Sequence, residues 1–493
     1  MIKIDGESLS LKEAERVALH REPVSLSQTT FRRIDRSAEF IESLARSGKV
    51  IYGVTTGFGS LATRIIPTED IEILQENLLM SHASGMGAPL SEEDVRAGIV
   101  VRANSLAKGF SGVRRVVIEK LIELLNREIY PYVPSFGSVG ASGDLAPLAH
   151  VALLLIGKGR AFHNGKFEDF KNVSKEKGFV PLDSLKAKEG LALINGTAVE
   201  AGMSALLLRK AFYLTDASLK AAALSLEALR GRKEAFDSRI QEVRGSVEQA
   251  EVAAVIRKEI EGSKLINSAD RVQDAYSLRC IPAVYGAVLN GLRYIEGTIL
   301  RELNAVTDNP IIFADDGDVL SGGNFHAEPI AFAMDHFGVV MSEIGSISER
   351  RINRLLNPAL SGLPAFLVRH SGLNSGMMIV QYTASALASF NKTLSHPASV
   401  DSIPVSADQE DHVSMGMNSV LKAKEILANV QRIVSAELLV SAQAADFVGA
   451  EKLGKGTRET YKKIREIVHF AEHDREFAYD LKRINEALDK RII

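Results

Sequence analysis

The sequence predicts a mainly α protein, a long-helix bundle joined to a smaller, mixed N-terminal domain. Two observations carry this. From about residue 187 onward, Ala, Leu, Glu, Arg and Ile recur at spacings of three and four, and there is no tryptophan in the chain. Before that point, helical stretches alternate with glycine-rich loops and a short apolar alternation. The charged stretch 163–188, with Gly165, Gly178 and Pro181, reads as an exposed excursion and divides the chain into 1–185 and 186–493.

Ile2 and Ile4 before Asp5-Gly6 suggest a short strand or hairpin, and 11–20 and 35–47 short amphipathic helices. Residues 51–59, Ile-Tyr-Gly-Val-Thr-Thr-Gly-Phe-Gly, hold three glycines in seven positions, which argues for a movable loop around Tyr52. A helix over 68–83 ends in Ser81-His82, and 91–128 holds two more. The run 137–150, Gly-Ser-Val-Gly-Ala-Ser-Gly-Asp-Leu-Ala-Pro-Leu-Ala-His, places three glycines before a helix that starts near Asp144. The C-terminal part reads as helices over 187–230, 246–262, 274–306, 326–356, 376–393, 415–446 and 456–490. A hairpin at 310–326, turning at Asp315-Asp316-Gly317-Asp318, interrupts them. The small residues and apolar stripes suit a packed bundle that also buries faces between subunits.

Composition narrows the function. With 59 Lys and Arg against 62 Asp and Glu, the charge balance gives no reason to expect nucleic acid or an anionic membrane as partner. The single cysteine, Cys280, cannot form an internal disulfide and suits a reducing cytoplasm. No secretory signal is visible, and the apolar run 145–157 is too short to span a bilayer. There is no HExxH and no cysteine pair, and His326-Ala327-Glu328 and His412 have no ligand partners at metal spacing nearby, so no metal is expected. No Walker sequence follows the glycines of 137–143.

Read by chemistry alone, 137–144 is a helix-capping turn, a phosphate cradle or something rarer. If the fold bends the loop tightly, the Gly143 nitrogen can attack the Ala141 carbonyl, since glycine has no Cβ to clash. Loss of that water, and then of the Ser142 hydroxyl as a second, leaves an electrophilic methylene. A scaffold that merely keeps the loop, as a nucleotide- or partner-binding module, is the rival from another class.

The order Ala141-Ser142-Gly143-Asp144 and its flanks resemble the prosthetic-group loop of the aromatic amino acid ammonia-lyases, over nearly the full chain. The resemblance implies a 4-methylidene-imidazol-5-one (MIO) group formed autocatalytically from Ala141, Ser142 and Gly143. It implies Tyr52 as catalytic base, with Asn195 and Tyr276 beside the reacting centre. Gln273 joins the substrate contacts, and Arg279 clamps the substrate carboxylate, for which a guanidinium is suited. Phe325 matches a pocket-lining aromatic. Ser81-His82 and Glu410 match the histidine-directed members, where other members carry Phe-Leu or His-Leu and glutamine; a carboxylate can accept an imidazole N–H. The activity implied by this resemblance is non-oxidative deamination of L-histidine to trans-urocanate, in a cytoplasmic homotetramer with active sites shared between chains. The alternative is a phenylalanine or tyrosine lyase or aminomutase. Three positions depart from the histidine-directed pattern: Thr55 and Asp408 replace usual asparagines, and Ala275 a usual proline.

Overall fold

The computed structural model describes residues 1–493. It holds nineteen α-helices and four two-stranded sheets, and divides into two compact units. The first comprises Met1–Arg209, Glu296–Asp335 and Pro397–Leu421; the second Lys210–Ile295, His336–His396 and Lys422–Ile493.

In the first unit the N-terminal strand Ile2–Ile4 pairs in parallel with Val24–Leu26, so it is no hairpin; helix Leu11–Leu19 makes the crossover between them. Ser10 and Glu13 close a capping box at that helix's start. Helix Glu92–Ala107 is buried almost all round. It packs on Leu11–Leu19 and on Arg115–Asn126, and helices Ile71–His82, Leu145–Leu155 and Glu189–Ile194 pack on one another. The 163–188 stretch has structure of its own: strands Arg160–His163 and Lys166–Asp169 form a hairpin, and helix Phe170–Lys177 comes next, closed by Gly178 in the left-handed conformation. The hairpin expected near 310–326 is present as Ile311–Phe313 against Asp318–Leu320.

Several long helical stretches are broken where the sequence reads as continuous. The 187–230 stretch is two helices, Glu189–Ile194 and Ala198–Ala228, separated by Asn195-Gly196-Thr197 with Gly196 at φ +134°. The 274–306 stretch is Tyr276–Arg279 and Ile281–Leu303, parted at Cys280, and 456–490 is Lys455–Ile467 and Phe477–Asp489. In the second unit, residues from four long helices meet in a buried polar network. The Glu437 carboxylate accepts from Ser225, Ser348 and Arg351, and the Tyr285 hydroxyl contacts Ser218 and Arg351. Helix Glu328–Leu356 is long and apolar enough to cross a membrane, but 67% of its apolar window is buried, as in a core helix.

Candidate functional site

Two glycines held back to back shape the 137–144 loop. Gly143 takes φ +72° and pairs with Gly196: the Asp144 N–H donates to the Gly196 carbonyl at 2.8 Å and the Gly196 N–H to the Ser142 carbonyl at 3.1 Å. A Cβ on Gly143 would stand 2.2 Å from the Gly196 oxygen, so no other residue fits. The other end of the loop is tied to 413–416. Met415 N–H donates to the Val139 carbonyl at 2.8 Å and the Ser414 hydroxyl to the Gly140 carbonyl at 3.1 Å. Ser138 braces the turn from within, its hydroxyl donating to the Gly143 carbonyl at 2.9 Å and accepting from the Gly140 N–H at 3.1 Å.

Amid this web, the Gly143 N–H makes no hydrogen bond. A nitrogen left free between two tethered neighbours suits a residue that is to attack the Ala141 carbonyl, so the loop fits the cyclised group that the resemblance implies.

Beneath the loop lies a buried carboxylate pair. Asp144 accepts from the N–H groups of Val199, at 2.7 Å, and Glu200, at 3.1 Å, capping helix Ala198–Ala228. Full burial pushes the Asp144 carboxyl up to about 7 despite these donors. Burial raises Glu200 well above the ordinary carboxylate range, and the neighbouring Asp144 adds to it. No other group bonds Asp144 Oδ1 or Glu200 Oε2, and the two carboxyls hydrogen-bond each other, which requires a proton on one of them. The sequence signal for Glu200, a single acid in the apolar run 198–208, is visible only in retrospect.

A cavity of about 940 Å³ opens above Ala141 and Ser142. Tyr52, Ser81, His82, Asn195, Phe325 and Glu410 also line it, so eight of the residues singled out from sequence meet there. Tyr52 sits on the loop expected from its glycines, and its hydroxyl accepts from the Gly59 N–H at 3.2 Å. The base of that loop is fixed by Thr55, which accepts from the Ile51 N–H and donates to the Lys49 carbonyl. Ser81 Oγ lies 3.0 Å from His82 Nδ1, and burial lowers the imidazole below its ordinary range. Asn195 donates to the Asn309 carbonyl at 3.1 Å, leaving Oδ1 without a partner. Burial raises the Glu410 carboxyl, partly offset by the Ser142 hydroxyl beside it. Asp408, with Ser406 and Ala407, takes positive φ in the turn before Glu410, a conformation that aspartate and asparagine tolerate better than most residues.

Gln273, Tyr276 and Arg279 do not line this cavity; they belong to the second unit. There Tyr276 is 71% exposed, with the Arg279 guanidinium 4.7 Å over its ring. Ala275 holds φ −63°, the angle a proline would impose. Sequence spacing did not bring out one cluster. His326 and His412, 86 residues apart, stand together with Glu328 as a group able to hold a metal ion, although no spacing motif announces it.

The family model "Aromatic amino acid lyase" matches residues 9–466. Among curated relatives, histidine ammonia-lyase of Caldanaerobacter subterraneus subsp. tengcongensis is 50% identical over 97% of this chain and 95% of its own length. That of Geobacillus thermodenitrificans is 50% identical over 100% and 98%. Among solved structures, tyrosine aminomutase from Streptomyces globisporus superposes with a TM-score of 0.96 at 37% identity, covering 100% of this chain and 97% of that one. Histidine ammonia-lyase from Trypanosoma cruzi gives 0.92 at 38% identity, over 99% and 93%.

Proposed function

The chain belongs to the aromatic amino acid lyase family, and from that premise we propose that it removes ammonia from L-histidine without oxidation, leaving trans-urocanate. The observation that carries the reading is the meeting of His82 and Glu410 in the cavity that opens over Ala141 and Ser142. Full-length relatives at 50% identity named as histidine ammonia-lyases support it.

Cyclisation of Ala141, Ser142 and Gly143 with loss of two waters supplies MIO, whose methylene is the electrophile that activates the substrate for loss of its amine. The residues around it divide the remaining work. Glu410 accepts the imidazole N–H, a group that a phenyl ring lacks. His82 and Phe325 flank the ring. Asn195, with its free Oδ1, meets the substrate ammonium. Tyr52 takes a β-proton, the C–H electron pair becomes the double bond between Cα and Cβ, and the C–N pair leaves Cα with the amine, which departs as ammonia.

Gln273, Tyr276 and Arg279 complete the site from a neighbouring chain of a homotetramer, with Arg279 holding the carboxylate. The exposure of Tyr276, and of Ile379, Tyr382 and Phe390 on helix Met378–Leu394, supports burial of these faces between copies. The partner is then a small molecule alone, with neither nucleic acid nor membrane, and the setting is cytoplasmic.

The test is a substrate panel on purified protein, monitoring product absorbance from L-histidine, L-phenylalanine and L-tyrosine. Urocanate from histidine is expected. Cinnamate or coumarate with no urocanate moves the assignment to another branch of the family, and no product from any of the three rejects it.

A further inference from the structure

Helix Glu189–Ile194 has a lysine at its start and a cavity-lining residue at its end. Lys188 precedes its first turn, and Asn195 closes its last. All six residues of the helix are buried, and the Lys188 side chain is fully shut off from solvent. Lys188 also holds φ +68°, in the left-handed region that glycine takes without strain and lysine does not. What lysine brings to such a turn, at a cost in backbone strain, is its side chain.

That side chain reaches a second buried stretch of the same unit. Lys188 Nζ donates to Asp308 Oδ2 and, at 3.1 Å, to the Ser111 carbonyl, and both side chains of the ion pair are 0% exposed. The other carboxylate oxygen, Asp308 Oδ1, accepts from the Asn309 N–H at 2.7 Å. The Asn309 carbonyl in turn accepts from Asn195 Nδ2 at 3.1 Å, while Asn309 Oδ1 takes the Gly322 N–H at 2.8 Å. Both ends of one short helix are thus clipped to a single dipeptide, Asp308-Asn309. A carbonyl can only accept, so this contact decides which way the Asn195 amide faces. Nδ2 turns to Asn309, and Oδ1 turns away, with no partner in the protein.

We propose that Lys188 and Asp308 are positioning residues for Asn195: their buried ion pair seats Asn309, whose carbonyl turns the Asn195 amide so that its oxygen meets the substrate ammonium. The task given to that oxygen rests on the lyase reading above, whereas the seating of the amide does not. Neither Lys188 nor Asp308 lines the cavity, so both act through Asn309 and Asn195, which do. A buried ion pair is a poor source of stability, because removing both charges from water costs about what their attraction returns. Its use here lies in geometry. An Asn195 amide turned by half a rotation would aim an N–H donor at an ammonium and repel it. A displacement of about 1 Å at a contact with the reacting group costs about a hundredfold in rate.

The test removes both charges together in the full-length protein, Lys188→Met with Asp308→Asn, so that neither is left buried alone. A crystal structure of this double variant should show Asn195 Nδ2 detached from the Asn309 carbonyl. Its kcat/KM, for whichever amino acid the parent turns over, should fall roughly ten- to a hundredfold. The decisive comparison is the same pair of substitutions in an Asn195→Ala background. There they should cost less than about twofold, since no amide remains to be oriented, whereas a merely structural role would lower both backgrounds alike. Unfolding midpoints check that the variants fold. Asp308→Asn alone is the milder change if the double variant does not, and it should show the same pattern with a smaller loss. The proposal is overturned if Asn195 keeps its bond to Asn309 in the variant, or if the loss in kcat/KM is equal in the two backgrounds. A parent without turnover on any amino acid would reject the lyase reading alone, and the crystallographic comparison would still decide the seating of Asn195.

Discussion

Two buried charged clusters in this molecule are built on opposite terms. In the second unit the Glu437 carboxylate is fully paired, each oxygen accepting from a serine and from Arg351. In the first unit Asp144 and Glu200 are equally buried, but they face each other, and burial raises both, so the pair is held by a shared proton where Glu437 has a guanidinium. A paired buried charge locks helices together, and its cost of desolvation is offset by its bonds. A like pair of carboxyls is stable only while it keeps its proton, because ionising both without a cation would leave buried charge uncompensated. The difference separates the part of the chain that holds shape from the part that holds reactivity.

Ser142→Ala bears on that contrast most strongly. It removes the hydroxyl that the proposed cyclisation loses as its second water, so turnover should fall by about a thousandfold or more. The unfolding midpoint should barely move, and intact-protein mass should lose the two-water deficit expected of the parent. Retained turnover would mean that the loop is not the source of the electrophile.

Glu437→Gln should do the reverse. Leaving Arg351 buried and unpaired destabilises by about 3–5 kcal/mol, read as a lowered denaturation midpoint, with turnover per folded molecule retained. A smaller loss than that from Asp144→Asn would erase the distinction between the clusters.

Asp144→Asn tests the shared proton. The Asp144 carboxyl is raised to about 7 by burial, so the native state keeps a proton that the unfolded chain releases near its ordinary range. Its contribution to stability is full at acid pH and is lost as pH rises towards 7. Denaturation midpoints across that window should decline more steeply in the parent than in the asparagine variant.

The smallest effect belongs to His82. Its imidazole is lowered by burial, so its contribution is present above about 6.5 and is lost as pH falls below that value. NMR titration should place its midpoint below the ordinary imidazole value of about 6.5.

How much of this was legible depended on whether the relevant contacts are local. The 137–144 loop and the first turns of its helix form one unbroken run of sequence, and its glycines announce a turn that other residues cannot make. Tyr52 was legible for the same reason, since Gly53, Gly57 and Gly59 mark the loop that carries it. His82 and Glu410 could be paired only through resemblance, because their meeting is made by the fold. The breaks at Asn195-Gly196-Thr197 and Cys280 were hidden by apolar periodicity on both sides. Glu200 looks like any acid in a helix until Asp144 is placed against it. The His326, Glu328 and His412 cluster defeated spacing rules because its members lie on two segments that only tertiary structure brings together. Gln273, Tyr276 and Arg279 stand away from the cavity in a single chain, and only the proposed assembly gives them a role.

The contact between Gly143 and Gly196 has a consequence for descent. A methyl group on Gly143 would strike the Gly196 oxygen, and one on Gly196 would stand 2.4 Å from Thr307 Oγ1. Three distant stretches of chain are therefore wedged without slack, and none can drift while the others stay. Lineages and laboratory libraries alike must vary the chamber walls around this spot, because the spot itself admits only retention or loss.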